Sequence, residues 1–360
     1  MTIRAYTLCF CFMMAFMTTG TAQYEFSHDK DVECTSIKSQ ANTGTCWSFA
    51  TASFLESELM RTGKGEHDLS EMYVVRNIYK DKARNYILRQ GKANFSQGSL
   101  SHDLISVLKS EGVMPENVYS GMVDGVKRHD HSEMEAGLKG FLDGMVKSKK
   151  LSKMWPEALE SIMDIYLGSV PESFEYGGKK YDPKSFAKSL ELDPADYVSV
   201  TSFSHHPFGE AFILEIPDNY SNGSYLNVPL DDLIATMDQA VSNGYTVAWD
   251  GDVSEKGFDA KHGIAVLPMK PNRKDLFEMP GPEVKVTQEL RQQLFESLAT
   301  TDDHLMHIVG TAKDQNGNEY YLVKNSWGKV GPHDGYLYMS KAYAAMKTVS
   351  IMVHKDVMSL

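Results

Sequence analysis

The chain has 360 residues, 42% hydrophobic and 23% charged, with a formal net charge of −12. That length can bury a sizeable core in one large or two modest domains. The acidic balance lacks the electrostatic footprint of a nucleic-acid-binding protein.

The first segment, MTIRAYTLCFCFMMAFMTTGTAQ, sets Arg4 before an apolar run from Leu8 to Phe16 and places Gly20 and Ala22 at cleavage subsites. Its apolar core is too short for a bilayer, so residues 1–22 are expected to be a secretory signal peptide. The mature chain is then a soluble exported protein, periplasmic or extracellular, with no membrane anchor. Cys9 and Cys11 leave with the leader, so only Cys34 and Cys46 remain. Two cysteines in an exported protein ordinarily suggest one disulfide.

The surroundings of Cys46 argue against that. In QANTGTCWSFATASFLE, Trp47, Ala50, Phe54 and Leu55 fall at the spacing of a helix with one buried face, which puts Cys46 in its first turn. Unpaired N–H groups and the positive end of the helix dipole favour an anion there, so the thiol pKa is expected below its free value of about 8.5. Gly44 and Thr45 allow a tight turn that leaves sulfur accessible. A nucleophilic thiolate would leave Cys34 free or reversibly oxidised.

From Cys46 to about Tyr220 the pattern is mainly helical, with a polar, Lys- and Met-rich tract from Arg128 to Lys188. HDHSEME, His129 to Glu135, offers metal-ligand types at short spacing but reads as the solvated face of a helix. His205 and His206 precede Pro207 and read as loop residues. From about Tyr225 to Leu360 strand patterns dominate, as in YTVAWDGD, HGIAVLP, YYLVKNSW, GYLYMS and VSIMVH.

The stretch DDHLMHIVGTAKDQNGNEYYLVKNSWG reads as a hairpin around Asn316–Gly317. A two-residue turn there sets His307 opposite Ser326, and a bulge or three-residue loop sets it opposite Asn325. An asparagine beside a histidine fixes the ring's tautomer and leaves the other nitrogen free for a thiol. Trp327 could shield that bond from water. His304 and His307 would form a ligand pair only on a helix; on a strand they point to opposite faces.

These motifs resemble those of the papain-like cysteine peptidases: GTCW around the cysteine, the segment around His307, and KNSWG. The resemblance implies an α+β fold of two lobes, one helical and one antiparallel and β-rich, with the active-site cleft between them. Site residues carried over are Cys46 as nucleophile, Gln40 and the Cys46 backbone N–H as oxyanion donors, His307 as proton carrier and Asn325 as its orienter. Gly98 and Ser99 stand where the family has a substrate-lining glycine pair, and Trp327 joins them at the substrate site. The Cys-to-His interval far exceeds the papain-type spacing of roughly 130 to 150 residues, and no long propeptide fits before Cys46. Both features resemble the bleomycin hydrolase and aminopeptidase C branch, as do the segments around VMPENVYSG and YLNVPLDDL.

The expected organisation is a leader at 1–22 and a peptidase domain at 23–360, with a helical lobe at about 46–220, an insertion near 120–200, and a β-rich lobe at about 225–360. The chemistry calls for peptide substrates and for no cofactor or metal. The branch implies an aminopeptidase and a hexameric homo-oligomer. Its C-terminal arm lies in the cleft, and the last strand pattern here ends so near Leu360 that a short arm is expected. An open-cleft endopeptidase, a cysteine acyltransferase and a peptide-binding protein remain alternatives, although none of the four catalytic residues is missing.

Overall fold

The computed structural model describes residues 24–359 apart from residue 124, so the leader, with Cys9 and Cys11, lies outside the described residues. The chain runs β1 (Phe26–Asp31), α1 (Cys46–Arg61), α2 (Glu71–Leu88), α3 (Ser101–Ser110), α4 (Ser132–Ser148), α5 (Trp155–Leu167), β2 (Phe174–Tyr176), β3 (Lys179–Tyr181) and α6 (Pro183–Leu190). There follow β4 (Tyr197–Thr201), β5 (Ala211–Ile213), β6 (Ser224–Asn227), α7 (Leu230–Ser242), β7 (Val247–Gly251), β8 (Phe258–Asp259) and β9 (Ile264–Ala265). The last elements are α8 (Gln288–Glu296), β10 (His304–Asp314), β11 (Glu319–Lys324), β12 (Tyr336–Ser340), α9 (Lys341–Lys347) and β13 (Thr348–His354).

Helices gather in the first half and one 11-stranded sheet occupies the second, in the order β5-β6-β4-β13-β7-β10-β11-β12-β9-β8, with β1 also paired to β10. The pairings are antiparallel except β12 with β9 and β4 with β6. This is the expected α+β class. The strand-rich part begins earlier than residue 225, because β4 and β5 precede it, and β1 reaches the same sheet from the N-terminal side. Among the described residues no helix is long and apolar enough to cross a membrane.

Two elements position the site. Helix α1 is buried from Cys46 to Leu59 on every side rather than along one stripe. Its small polar residues make this tolerable because each finds a partner. Ser48 Oγ donates to Glu71 O at 3.0 Å, Thr51 Oγ1 to Trp47 O at 2.7 Å and Ser57 Oγ to Glu33 O at 2.8 Å.

Strand β10 is the sheet's central member. Its first half pairs with β7 and its second with β1 along one edge, while β11 lines the other. Helix α1 packs on it from one side and α7 from the other. A strand so covered reads as a continuous apolar run, which accounts for the weak alternation in HLMHIVG.

Candidate active site

Cys46 opens α1 and is 8% exposed. As the first helical residue, its backbone N–H has no acceptor within the helix. The backbone amides of Leu305 and Trp47 lie close enough to the sulfur to favour its anion, an effect smaller than that of burial. Thr45, which precedes the helix, makes no side-chain cap. Both Cys46 and Cys34 are free thiols, and Cys34 lies 3.3 Å from Tyr336 Oη.

The expected fall in the thiol pKa is not found. Burial pushes Cys46 up to about 12, with Asp302 and Asp250 adding to the rise. Desolvation of an enclosed thiolate outweighs the helix dipole, whose effect amounts to about 0.3–1 kcal/mol at an exposed terminus.

Gln40 sits beside the cysteine in the loop before α1, in the same cavity. Its backbone N donates to Ser326 O at 2.8 Å, and its Oε1 accepts from Ser326 Oγ at 2.6 Å. Its Nε2 donates to Thr43 O at 2.6 Å, which uses one of two amide hydrogens. The other can face an oxyanion together with the Cys46 N–H.

The histidine requires a correction. His304, not His307, meets Asn325: His304 Nε2 lies 2.8 Å from Asn325 Oδ1. That oxygen also accepts from the Ser326 backbone N at 2.7 Å, which identifies it as the amide acceptor. Nε2 therefore carries the proton, and Nδ1 is left as a base. The Trp327 ring lies over His304 with centroids 4.7 Å apart and shields this pair. Burial lowers the His304 pKa to about 4.

His307 points to the opposite face and is 1% exposed. Its Nδ1 is 2.9 Å from Ser53 Oγ, which also receives Lys324 Nζ at 2.7 Å. Burial and the nearby Lys324 charge hold its pKa well below the ordinary value.

The physical reason is register. The hairpin closes through the three residues Gln315, Asn316 and Gly317, with Asp314 N donating to Asn318 O at 3.0 Å and Gly317 at φ +82°. That loop alone would have put Asn325 opposite His307. A bulge between Ile308 and Gly310 shifts the pairing once more, so His307 stands opposite Lys324. Asn325 thereby joins the face of Met306 and His304.

The remaining expectations divide. Gly98 and Ser99 line the cavity of about 410 Å³ that holds Cys46, His304 and Trp327. Ser99 turns its hydroxyl away, donating to Asp103 Oδ2 at 2.6 Å, so it offers the cleft its backbone only. HDHSEME is a solvated face only in part: Asp130, Ser132 and Glu133 are exposed, whereas His129 and His131 are 7% and 2% exposed. Apolar packing around the start of α4 outweighs the polar character of the run. Among the described residues the one grouping with metal-ligand geometry is His205, His206 and Glu215. His205 Nδ1 there faces the amide nitrogen of Gln292 at 3.0 Å. A metal-bound histidine would need a hydrogen-bond acceptor at that position.

A thiol at a helix start, an asparagine-bonded imidazole and a glutamine amide lining one cavity are the kinds of group that a cysteine peptidase requires. The Peptidase C1-like family matches residues 93–360 and the papain family of cysteine proteases matches residues 22–152. The chain belongs to the Peptidase C1-like family, within the aminopeptidase C and bleomycin hydrolase branch of papain-like enzymes. It is similar to an aminopeptidase C of Listeria innocua, 25% identical over 95% of this chain and 85% of the relative. It is also similar to human bleomycin hydrolase, 20% identical over 94% of this chain and 84% of the relative. The solved structure of PepW from Lactobacillus rhamnosis HN001 shares the fold, with a TM-score of 0.70 and 18% identity over 92% of this chain and 82% of that one.

Proposed function

We propose that the protein is an exported aminopeptidase that removes residues from free peptide N termini through a thioacyl-enzyme. The observation that carries the catalytic assignment is the 2.8 Å contact between His304 Nε2 and Asn325 Oδ1 in the wall of the Cys46 cavity. The choice of aminopeptidase follows from the aminopeptidases among its relatives.

In the first step His304 Nδ1 takes the thiol proton as sulfur attacks the scissile carbonyl. The C–S bond forms, and the carbonyl oxygen becomes an oxyanion held by Gln40 Nε2 and the Cys46 N–H. His304 then returns the proton to the departing amine as the C–N bond breaks. Water, deprotonated by the same ring, hydrolyses the thioester and frees the sulfur. Burial keeps both groups neutral separately, so the proton moves with the attack.

Reduced protein would be offered fluorogenic peptides with free and with blocked N termini, before and after alkylation by an irreversible epoxide. Expected are cleavage of free N termini, labelling at Cys46, and no activity in Cys46→Ala. Cleavage of blocked and free substrates at equal rates would establish an endopeptidase. Export is checked by N-terminal sequencing of the secreted protein, which should begin near Gln23.

A further inference from the structure

The cleft wall beside the cysteine is acidic. Asp218 and Asp302 both line the Cys46 cavity, although one lies in the turn between β5 and β6 and the other just before β10. Asp218 is pressed against the chain at Gly98, where an added Cβ would fall 1.8 Å from its Oδ2. Its Oδ1 accepts from Asn94 Nδ2 at 2.9 Å. Lys82, whose charge acts on both carboxylates from a distance, is already engaged, with its Nζ donating to the carbonyl oxygens of Ser96 and Gly98.

Behind Asp302 stands Asp250 of β7, 2% exposed. Asp250 Oδ2 accepts from Ser350 Oγ at 2.9 Å. Its Oδ1 and Oδ2 of Asp302 are buried oxygens that no N–H and no hydroxyl of the described residues reaches, so the two side chains bond each other only when one of them carries a proton. Burial lifts the Asp250 carboxyl to about 7, and burial together with Asp250 holds Asp302 well above the carboxylate range. Adjoining buried acceptors of this kind require a proton or a cationic donor from outside.

We propose that Asp218 and Asp302 form the subsite that receives the α-ammonium of the substrate's first residue. This rests on reading the cleft as that of an aminopeptidase, and it names the groups that read the chain end. The α-nitrogen lies two bonds from the carbonyl that sulfur attacks, so its anchor must share the cavity with Cys46, as these carboxylates do. An ammonium brings three donors, enough for both carboxylates and a carbonyl, and its charge supplies what the Asp302–Asp250 pair otherwise obtains from a proton. The competing occupant is a basic side chain one residue further along a blocked peptide.

The test compares wild type with Asp218→Asn and Asp302→Asn on three substrates: an aminoacyl fluorogenic amide, its N-acetyl derivative, and a blocked peptide with lysine before the cleaved residue. Each variant should raise KM for the free amide at least tenfold while altering kcat less than threefold, and Asp218→Asn should alkylate at Cys46 at the wild-type rate. Asp302→Asn can donate to Asp250 Oδ1, so an unchanged melting temperature separates loss of the anchor from misfolding. A wild type that prefers the free amide, with variants that keep that preference, would overturn the anchor and leave the aminopeptidase reading intact. Variants that lose only the blocked lysine substrate would also overturn it, by assigning the carboxylates to a side chain. A wild type indifferent to acetylation would overturn the aminopeptidase reading itself.

Discussion

His304 and His307 sit three residues apart on one strand and face opposite sides, so one meets the cleft and the other the interior against α1. Their substitutions should therefore separate. His304→Ala is expected to lower kcat by about 10²–10⁴ with the fold intact, the range for removal of a positioned general base. His307→Ala should lower thermal stability, since it strips Ser53 Oγ of a partner at 2.9 Å, while kcat stays within severalfold of wild type. Steady-state kinetics and melting curves on both variants check this. Cys46 supplies a second prediction. Because burial raises the thiol to about 12 and lowers the His304 ring to about 4, the resting pair is uncharged at neutral pH. The rate of inactivation by iodoacetamide should thus climb steadily from pH 6 to pH 10, and a flat plateau across neutrality would reveal a preformed thiolate–imidazolium pair.

At the scale of elements, the residues that could be read from sequence are those whose role depends on local structure. Cys46 at a helix start and Asn325 at a strand end are of this kind. His304 was hidden because its place depends on a bulge at residue 309, which nothing in the alternation of HLMHIVG announces. The buried carboxylates were hidden for a different reason: residues 218, 250 and 302 meet only through the order of the sheet. At the start of α4 the polarity of HDHSEME predicts exposure, which holds for Asp130, Ser132 and Glu133 but not for His131, which is 2% exposed with neither ring nitrogen partnered among the described residues. Burial lowers the His131 pKa to about 4, against an ordinary value of 6.5. Its unfolded form takes up a proton before its folded form does. The stability held above pH 6.5 is thus lost as pH falls toward 4, by about 3 kcal/mol from this residue alone. Urea midpoints at pH 7 and pH 4.5 should converge in His131→Phe relative to wild type, with His304 supplying a remaining slope of the same sign.

Over the whole molecule, charge ties the helical half to the loop between β1 and α1, where Lys38 O also accepts from Gly328 N of the β-rich half at 3.0 Å. Lys38 Nζ bonds Glu71 Oε1 at 2.7 Å and lies 3.7 Å from Glu56 Oε1, carboxylates whose side chains are 3% and 1% exposed. Removing the cation would leave two buried acids uncompensated, and burial already raises Glu71 to about 7. Lys38→Met is expected to cost about 3–5 kcal/mol, read as a loss in urea midpoint that shrinks at low pH as the acids protonate.

The contact of α1 with β10 runs inward from the catalytic pair. Its bond lies at Ser53 Oγ and His307 Nδ1, 2.9 Å apart, and there Ser53 also receives Lys324 Nζ, which reaches Thr35 O at 2.7 Å. Cys46 and His304 thus stand at the end of one riveted seam rather than on the jaws of a hinge. A peptide must enter a slot already cut to shape, and any motion wide enough to part cysteine from histidine is also the first step of unfolding. Inactivation by heat and loss of fold should then be a single event.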